Sequence, residues 1–282
     1  MEPSPSVETR IFQAFVGVQV LVGSESVFRV SGFMIEVDGW MVWVTASHCL
    51  EGLDKLEEQH PDAKFLWLFP AHPTDLAPCR SGEMGAVRVD RMAALSLASG
   101  KRKGRRAVRD LSKMADEHRG CDIAYVPLSE YHQRVARSAG VVPFGGSAIG
   151  EESLIRDTVE GGVLTCVAGL PVEGVDPVRQ LAALVVLPVK LAPVGTKPGR
   201  RLNPLFLPLM APDWSRDVYD GDIVGMSGGP CVIVHAKGVF AAGVVTERIG
   251  REGRTPKAII CNRLEPALLM IREHLAILAR GG

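Results

Sequence analysis

Short apolar runs alternate with polar breaks along nearly the whole chain, and most are too short and too rich in valine to be helices. Phe15 to Val22, Val27 to Val30, Gly32 to Val37 and Trp40 to Val44 follow in close succession, each read as a strand. Asp38-Gly39 separates the last two and is a hairpin signal, because a two-residue turn needs backbone angles that Asp and Gly tolerate. Further strands are expected at Lys64 to Phe69, Ala86 to Met92, Tyr125 to Leu128, Gly162 to Ala168, Leu181 to Leu191, Cys231 to His235 and Val239 to Thr246. Two stretches break this pattern. Glu51 to Gln59 has helical character. Leu264 to Ala279 places Leu268, Ile271, Leu275 and Leu278 at helical spacing, which predicts an amphipathic helix packed on the second half of the chain. A membrane-surface or partner-binding helix is the rival reading of that segment. Gly140 to Gly150, rich in small residues, reads as a connection between two halves, and the proline-dotted Ala192 to Pro212 carries no assignable element. Many short strands between turns favour a sandwich or barrel over a parallel α/β sheet.

Composition narrows the class without naming a function. Of 282 residues, 46% are apolar, enough to bury a substantial core. The 32 basic and 32 acidic residues balance, so no global field favours nucleic acid, anionic lipid or an acidic ligand. No apolar run approaches the ~20 residues of a membrane-spanning helix, and residues 1–10 lack the basic-then-apolar order of a secretory signal. These features predict a cytoplasmic protein with a flexible N-terminal segment over 1–10 and no membrane partner. The six cysteines, Cys49, Cys79, Cys121, Cys166, Cys231 and Cys261, are accordingly expected as free thiols. There is no Cys-x-x-Cys, and His118 with Cys121 does not make a four-ligand set, so no metal or other cofactor is expected. One local exception to charge balance is Lys101 to Arg109, open to three readings: a solvated loop, a nucleic-acid or phosphate contact that lacks the aromatic interleaving single strands need, or a site of proteolytic nicking or self-cleavage.

Three short motifs carry candidate chemistry. Gly225-Met226-Ser227-Gly228-Gly229-Pro230 places one nucleophilic hydroxyl among glycines, which let main-chain N–H groups converge on a developing oxyanion. Trp43-Val44-Thr45-Ala46-Ser47-His48-Cys49 ends an apolar strand on an imidazole able to act as a base. Cys121-Asp122-Ile123-Ala124-Tyr125-Val126 puts a carboxylate at the mouth of another apolar run, where it could fix a histidine tautomer.

Taken in the order His, Asp, Ser, these motifs resemble the three motif blocks of the trypsin/chymotrypsin-like serine peptidases; other triad folds use other orders. Ser31-Gly32-Phe33, Val167-Ala168-Gly169-Leu170-Pro171 and Gly243-Val244-Val245-Thr246 extend the likeness over nearly the whole chain. The resemblance implies an all-β fold of two six-stranded antiparallel β-barrels with a C-terminal α-helix: residues 11–143 as the first barrel, 144–262 as the second, and 263–282 as the helix. It further implies Ser227 as nucleophile, His48 as general base and acid, Asp122 as its orienter, and the N–H groups of Gly225 and Ser227 as the oxyanion hole. Gly221, Asp222 and Thr246 would wall the substrate pocket, with Asp222, Asp220 or Glu247 available to favour Lys or Arg, and Ile223 and Val224 to favour small or apolar residues. Met226 stands where zymogen-activated members carry an aspartate, so activation by a newly cut N-terminal ammonium is not expected.

The activity so implied is that of a stand-alone, intracellular bacterial endopeptidase cutting proteins or peptides without a cofactor. A regulatory protein partner in stress or defence would restrain it. A catalytically silent member of the same fold serving as a binding module is the alternative from another class, and an esterase a third.

Overall fold

The computed structural model describes residues 6–70, 81–88, 109–110, 122–145, 149, 164–171, 175–176, 181–191, 206–210, 224–252 and 255–280. Asp220, Gly221, Asp222, Ile223, His118, Cys79, Cys121 and residues 101–108 of the basic cluster lie outside them.

Helix α1 (Val7–Ala14) opens the described chain, with the Ser6 hydroxyl accepting from the Thr9 N–H at 3.2 Å. Val7 to Arg10, expected in the N-terminal tail, are therefore helical. Arg10 fixes the helix in place, donating to the carbonyls of Val142 and Pro143 at 2.7 and 2.6 Å while its guanidinium lies over the Phe144 ring. The strands β1 (Gly17–Val22), β2 (Glu25–Val30), β3 (Phe33–Val37) and β4 (Trp40–Thr45) follow the apolar runs closely. Asp38 and Gly39 both have positive φ, 51° and 82°, as a tight β3–β4 hairpin requires.

Next come α2 (Ser47–Gln59), β5 (Lys64–Pro70), β6 (Ser81–Arg88), β7 (Arg109–Asp110), β8 (Ala124–Pro127) and α3 (Glu130–Ser138). Helix α3 escapes a search for apolar periodicity because only His132 and Ala136 of it are buried. The rest of the chain forms β9 (Thr165–Gly169), β10 (Val175–Asp176), β11 (Leu181–Leu191), β12 (Phe206–Met210), β13 (Pro230–His235), β14 (Gly238–Glu252), β15 (Thr255–Arg263) and α4 (Leu264–Arg280). Strand β12 lies in the stretch where prolines obscured any assignment; Pro208 takes a ladder position opposite Ile260.

The fold is thus mostly antiparallel β-structure with a C-terminal helix. One ladder runs β12-β15-β14-β13-β9-β11-β6-β5-β1-β2, with β10 on β11, and a second runs β3-β4-β8-β7. Strand β6 is shared: Met84 to Arg88 pair with β5 and Ser81 to Glu83 with β11, so hydrogen bonding passes from the first half of the chain into the second.

Buried side chains form two clusters. The smaller lies wholly in the second half and includes Val167, Leu187, Met226, Ile233, Val245 and Ile259. The larger is centred on the first half and takes in Leu264, Ala267, Leu268, Ile271 and Leu275 of α4. Here the expectation is corrected, since α4 does not pack on the second half alone. Its His274 Nδ1 lies 2.9 Å from the Tyr125 hydroxyl of β8, both residues being buried, and Arg272 reaches Asp38 in the β3–β4 turn at 3.7 Å. The apolar stripe gave the helix but not the surface that would receive it.

Tyr125→Phe should leave the buried His274 nitrogen without its hydroxyl partner and destabilise the fold by about 1–3 kcal/mol. Urea unfolding would measure this as a lower midpoint at unchanged slope. An unaltered midpoint would mean that the pair contributes nothing to docking of α4.

Candidate active site

Asp122 organises one side of the site. Helix α2 begins at Ser47 with Ala46 as N-cap, which has no side-chain acceptor to offer, and with no acidic residue in its first turn. The need is met from a distant segment. Asp122 Oδ1 accepts from the His48 main-chain N–H at 2.9 Å, its main-chain carbonyl accepts from Ser47 N–H at 3.3 Å, and Oδ2 meets His48 Nδ1 at 2.6 Å. A carboxylate at a helix N-terminus is favoured by the helix dipole. Here the same carboxylate orients the imidazole and directs Nε2 away from itself.

The pairing raises the pKa of His48 to about 10. Its main cause is the hydrogen bond to Asp122, followed by the contact between Nε2 and the Cys49 thiol at 3.6 Å, with burial opposing both. The imidazole is still 47% exposed, so screening by water limits what this shift contributes to stability.

The serine loop forms the other side. Gly225 and Gly228 adopt left-handed φ values of 97° and 91°, which glycine alone takes without strain. The loop is held down by hydrogen bonds from Gly228 N–H to the Val245 carbonyl at 2.7 Å and from Val245 N–H to the Gly229 carbonyl at 2.9 Å. Met226 is 1% exposed within the second-half core, packed over Gly169. Ser31, fully buried between β2 and β3, joins the two sides. Its hydroxyl donates to the Gly225 carbonyl at 2.7 Å and accepts from Leu170 N–H at 2.9 Å, while the Thr45 hydroxyl donates to the Ser31 carbonyl at 2.7 Å. A Cβ on Gly228 would run into that same Ser31 carbonyl and Thr45 hydroxyl, so residue 228 must be glycine on steric grounds as well.

His48 and Ser227 line one pocket of about 300 Å³, together with Val27, Phe28, Arg29, Cys49, Val224 and Gly225. Among the described residues no hydrogen bond joins Ser227 Oγ to His48 Nε2. The hydroxyl instead points to the Thr246 carbonyl at 3.5 Å, a long contact, and the Cys49 thiol lies 3.5 Å from the Ser227 carbonyl. The N–H groups of Gly225 and Ser227 have no acceptor among the described residues. Thr246 reaches the site only through its main-chain carbonyl, because its own hydroxyl donates into the ladder, to the Ile260 carbonyl at 3.2 Å.

Of the residues singled out in the sequence, His48 and Asp122 are in contact, Ser227 and Gly225 share the pocket with His48, and Gly221 and Asp222 lie outside the described residues. Ser31, Thr45 and Arg29 were not singled out as site residues. Ser31 and Thr45 sit within quoted motifs, but their hydroxyls bond to main-chain groups, which leave no mark in side-chain spacing; Arg29 is one charged residue in an otherwise apolar run. Of the six cysteines expected as thiols, the four described ones, Cys49, Cys166, Cys231 and Cys261, are buried thiols outside any disulfide, and burial pushes the pKa of the Cys261 thiol up. No helix among the described residues is long and apolar enough to cross a membrane. Compared with models of known protein families and with curated proteins, the chain matches none.

Two predictions test this geometry. A histidine pKa raised by folding contributes stability that is fully present below the unfolded value near 6.5 and is lost as pH rises through about 10. Wild type should therefore lose stability relative to Asp122→Asn between about pH 6.5 and 10, read as the difference between their urea midpoints; parallel curves would show that Asp122 does not hold the imidazolium. Ser31→Ala should orphan the buried Leu170 N–H, besides removing the donor to the part-buried Gly225 carbonyl, and destabilise by about 1–3 kcal/mol. A thermal melt within a degree of wild type would refute the role given to that hydroxyl.

Proposed function

We propose that the chain is a serine endopeptidase of the trypsin-like class, acting on proteins or peptides through an acyl-enzyme intermediate. The observation that carries this reading is the meeting of the Asp122–His48 pair with Ser227 around one pocket. Ser227 Oγ would attack the scissile carbonyl as its proton passes to His48 Nε2, and the uncommitted N–H groups of Gly225 and Ser227 would hold the oxyanion. Collapse of the tetrahedral adduct breaks the C–N bond, with His48 returning the proton to the departing amine. Water, deprotonated by the same imidazole, then releases the acyl group and restores Ser227.

The two six-stranded barrels belong to the same proposal. Supporting the second is the pairing order β13, β9, β11, β12, β15, β14, because β14 pairs again with β13 and β11 pairs with β12 at Lys190 opposite Met210. A raised His48 pKa fits a resting state in which the base carries its proton, so activity should climb from neutral toward alkaline pH. A second reading, a silent binding module of the same fold, is favoured by one contact: Ser227 Oγ is turned toward the Thr246 carbonyl rather than His48.

A fluorophosphonate probe separates the two. Under the peptidase reading it labels Ser227 stoichiometrically, and peptide cleavage falls by up to about a million-fold in Ser227→Ala or His48→Ala. Absence of labelling across pH 7–10 in a folded protein would leave the binding module standing.

A further inference from the structure

Arg29 on β2 lines the pocket shared by His48 and Ser227, yet neither catalysis nor packing accounts for it. The residue is half-buried, its Nε is shielded from water without any hydrogen-bond acceptor, and no ion pair to it occurs among the described residues. Directly opposite in the β1–β2 ladder stands Gln19, 1% exposed, whose side-chain nitrogen and oxygen also lack partners. Arg29 Nε and the two polar atoms of the Gln19 amide, buried without partners on facing strands, are unfavourable for folding, since each is withdrawn from water with nothing in return. Nearby, Val27, Phe28 and Val224 are apolar and offer the guanidinium no counter-charge, and the Asp122 carboxylate is taken up by His48.

We propose that Arg29 is a specificity-determining residue that receives a carboxylate of the substrate close to the scissile bond, an inference that rests on the peptidase reading for the bond that is cut. A guanidinium presents a planar fork of donors matched to a carboxylate, and peptides offer that group in two places, an Asp or Glu side chain and the free C-terminus. Binding supplies the missing counter-charge to a half-buried guanidinium, where a charge-assisted hydrogen bond is stronger than at a fully exposed one.

The test uses peptide pairs of one sequence: Asp or Glu against Asn or Gln at successive positions around the cut, and a free against an amidated C-terminus. Wild type should prefer the carboxylate member at one position by about 10- to 100-fold in kcat/KM, the span of one charge-assisted hydrogen bond; which pair responds tells an internal acidic residue from a chain end. In Arg29→Gln that ratio should fall to about one, and in Arg29→Glu it should invert in favour of a Lys-bearing peptide. The same pairs are titrated against Ser227→Ala by fluorescence anisotropy, which reads binding without turnover. Cleavage with no carboxylate preference overturns the role of Arg29 and leaves the peptidase reading intact. Carboxylate-selective binding that depends on Arg29, with no cleavage by wild type, upholds Arg29 and overturns the peptidase. Neither cleavage nor selective binding overturns both.

Discussion

The buried hydroxyl of Ser31 is the constraint on which the site depends, because it is where the halves carrying His48 and Ser227 are locked in register. One oxygen satisfies the part-buried Gly225 carbonyl and the buried Leu170 N–H, two groups far along the chain from it. With the Gly225 carbonyl taken by Ser31, the Gly225 N–H on the preceding peptide stays uncommitted. Gly228 then passes close over the Ser31 carbonyl and Thr45 hydroxyl, an approach closed to any side chain. The position of the nucleophile relative to the base thus draws on this short hydrogen-bond relay in addition to the shared strand β6 and the core packed across both halves.

On the opposite side a single carboxylate does the equivalent work. Asp122 completes the first turn of α2 and orients the His48 ring, so the helix start and the base are one structural unit. This explains why a helix with a poor cap of its own begins where it does. It also means that loss of the carboxylate would disturb local folding and proton affinity together, which is why charge and stability have to be followed jointly when that residue is altered.

Much of this was legible in the sequence, and the limits have physical causes. Strand positions followed from short apolar runs, and the Asp38-Gly39 turn from backbone angles only a few residues accept. The motif residues His48, Asp122, Gly225 and Ser227 do gather at one place. What the sequence hid were features whose signal is not periodic: α3, with only two buried residues; β12, broken up by proline; and the docking surface of α4, which includes a buried tyrosine–histidine pair beside its apolar stripe. Ser31 and Arg29 were hidden for a related reason, since a hydroxyl bonded to main chain and a lone cation lining a pocket look ordinary until the chain folds around them.

The placement of α4 bears on how the protein is made. Its apolar stripe completes a core built chiefly from the first half, against strands that emerge from the ribosome long before residues 264–280 do. A nascent chain therefore lacks the His274 partner of the buried Tyr125 until α4 arrives. Ser227 is itself translated before that helix, so the three motif residues can all be present on a chain whose scaffold is still incomplete. Completion of that core is thereby deferred until α4 has been made, an ordering in time that follows from where one helix finds its partner.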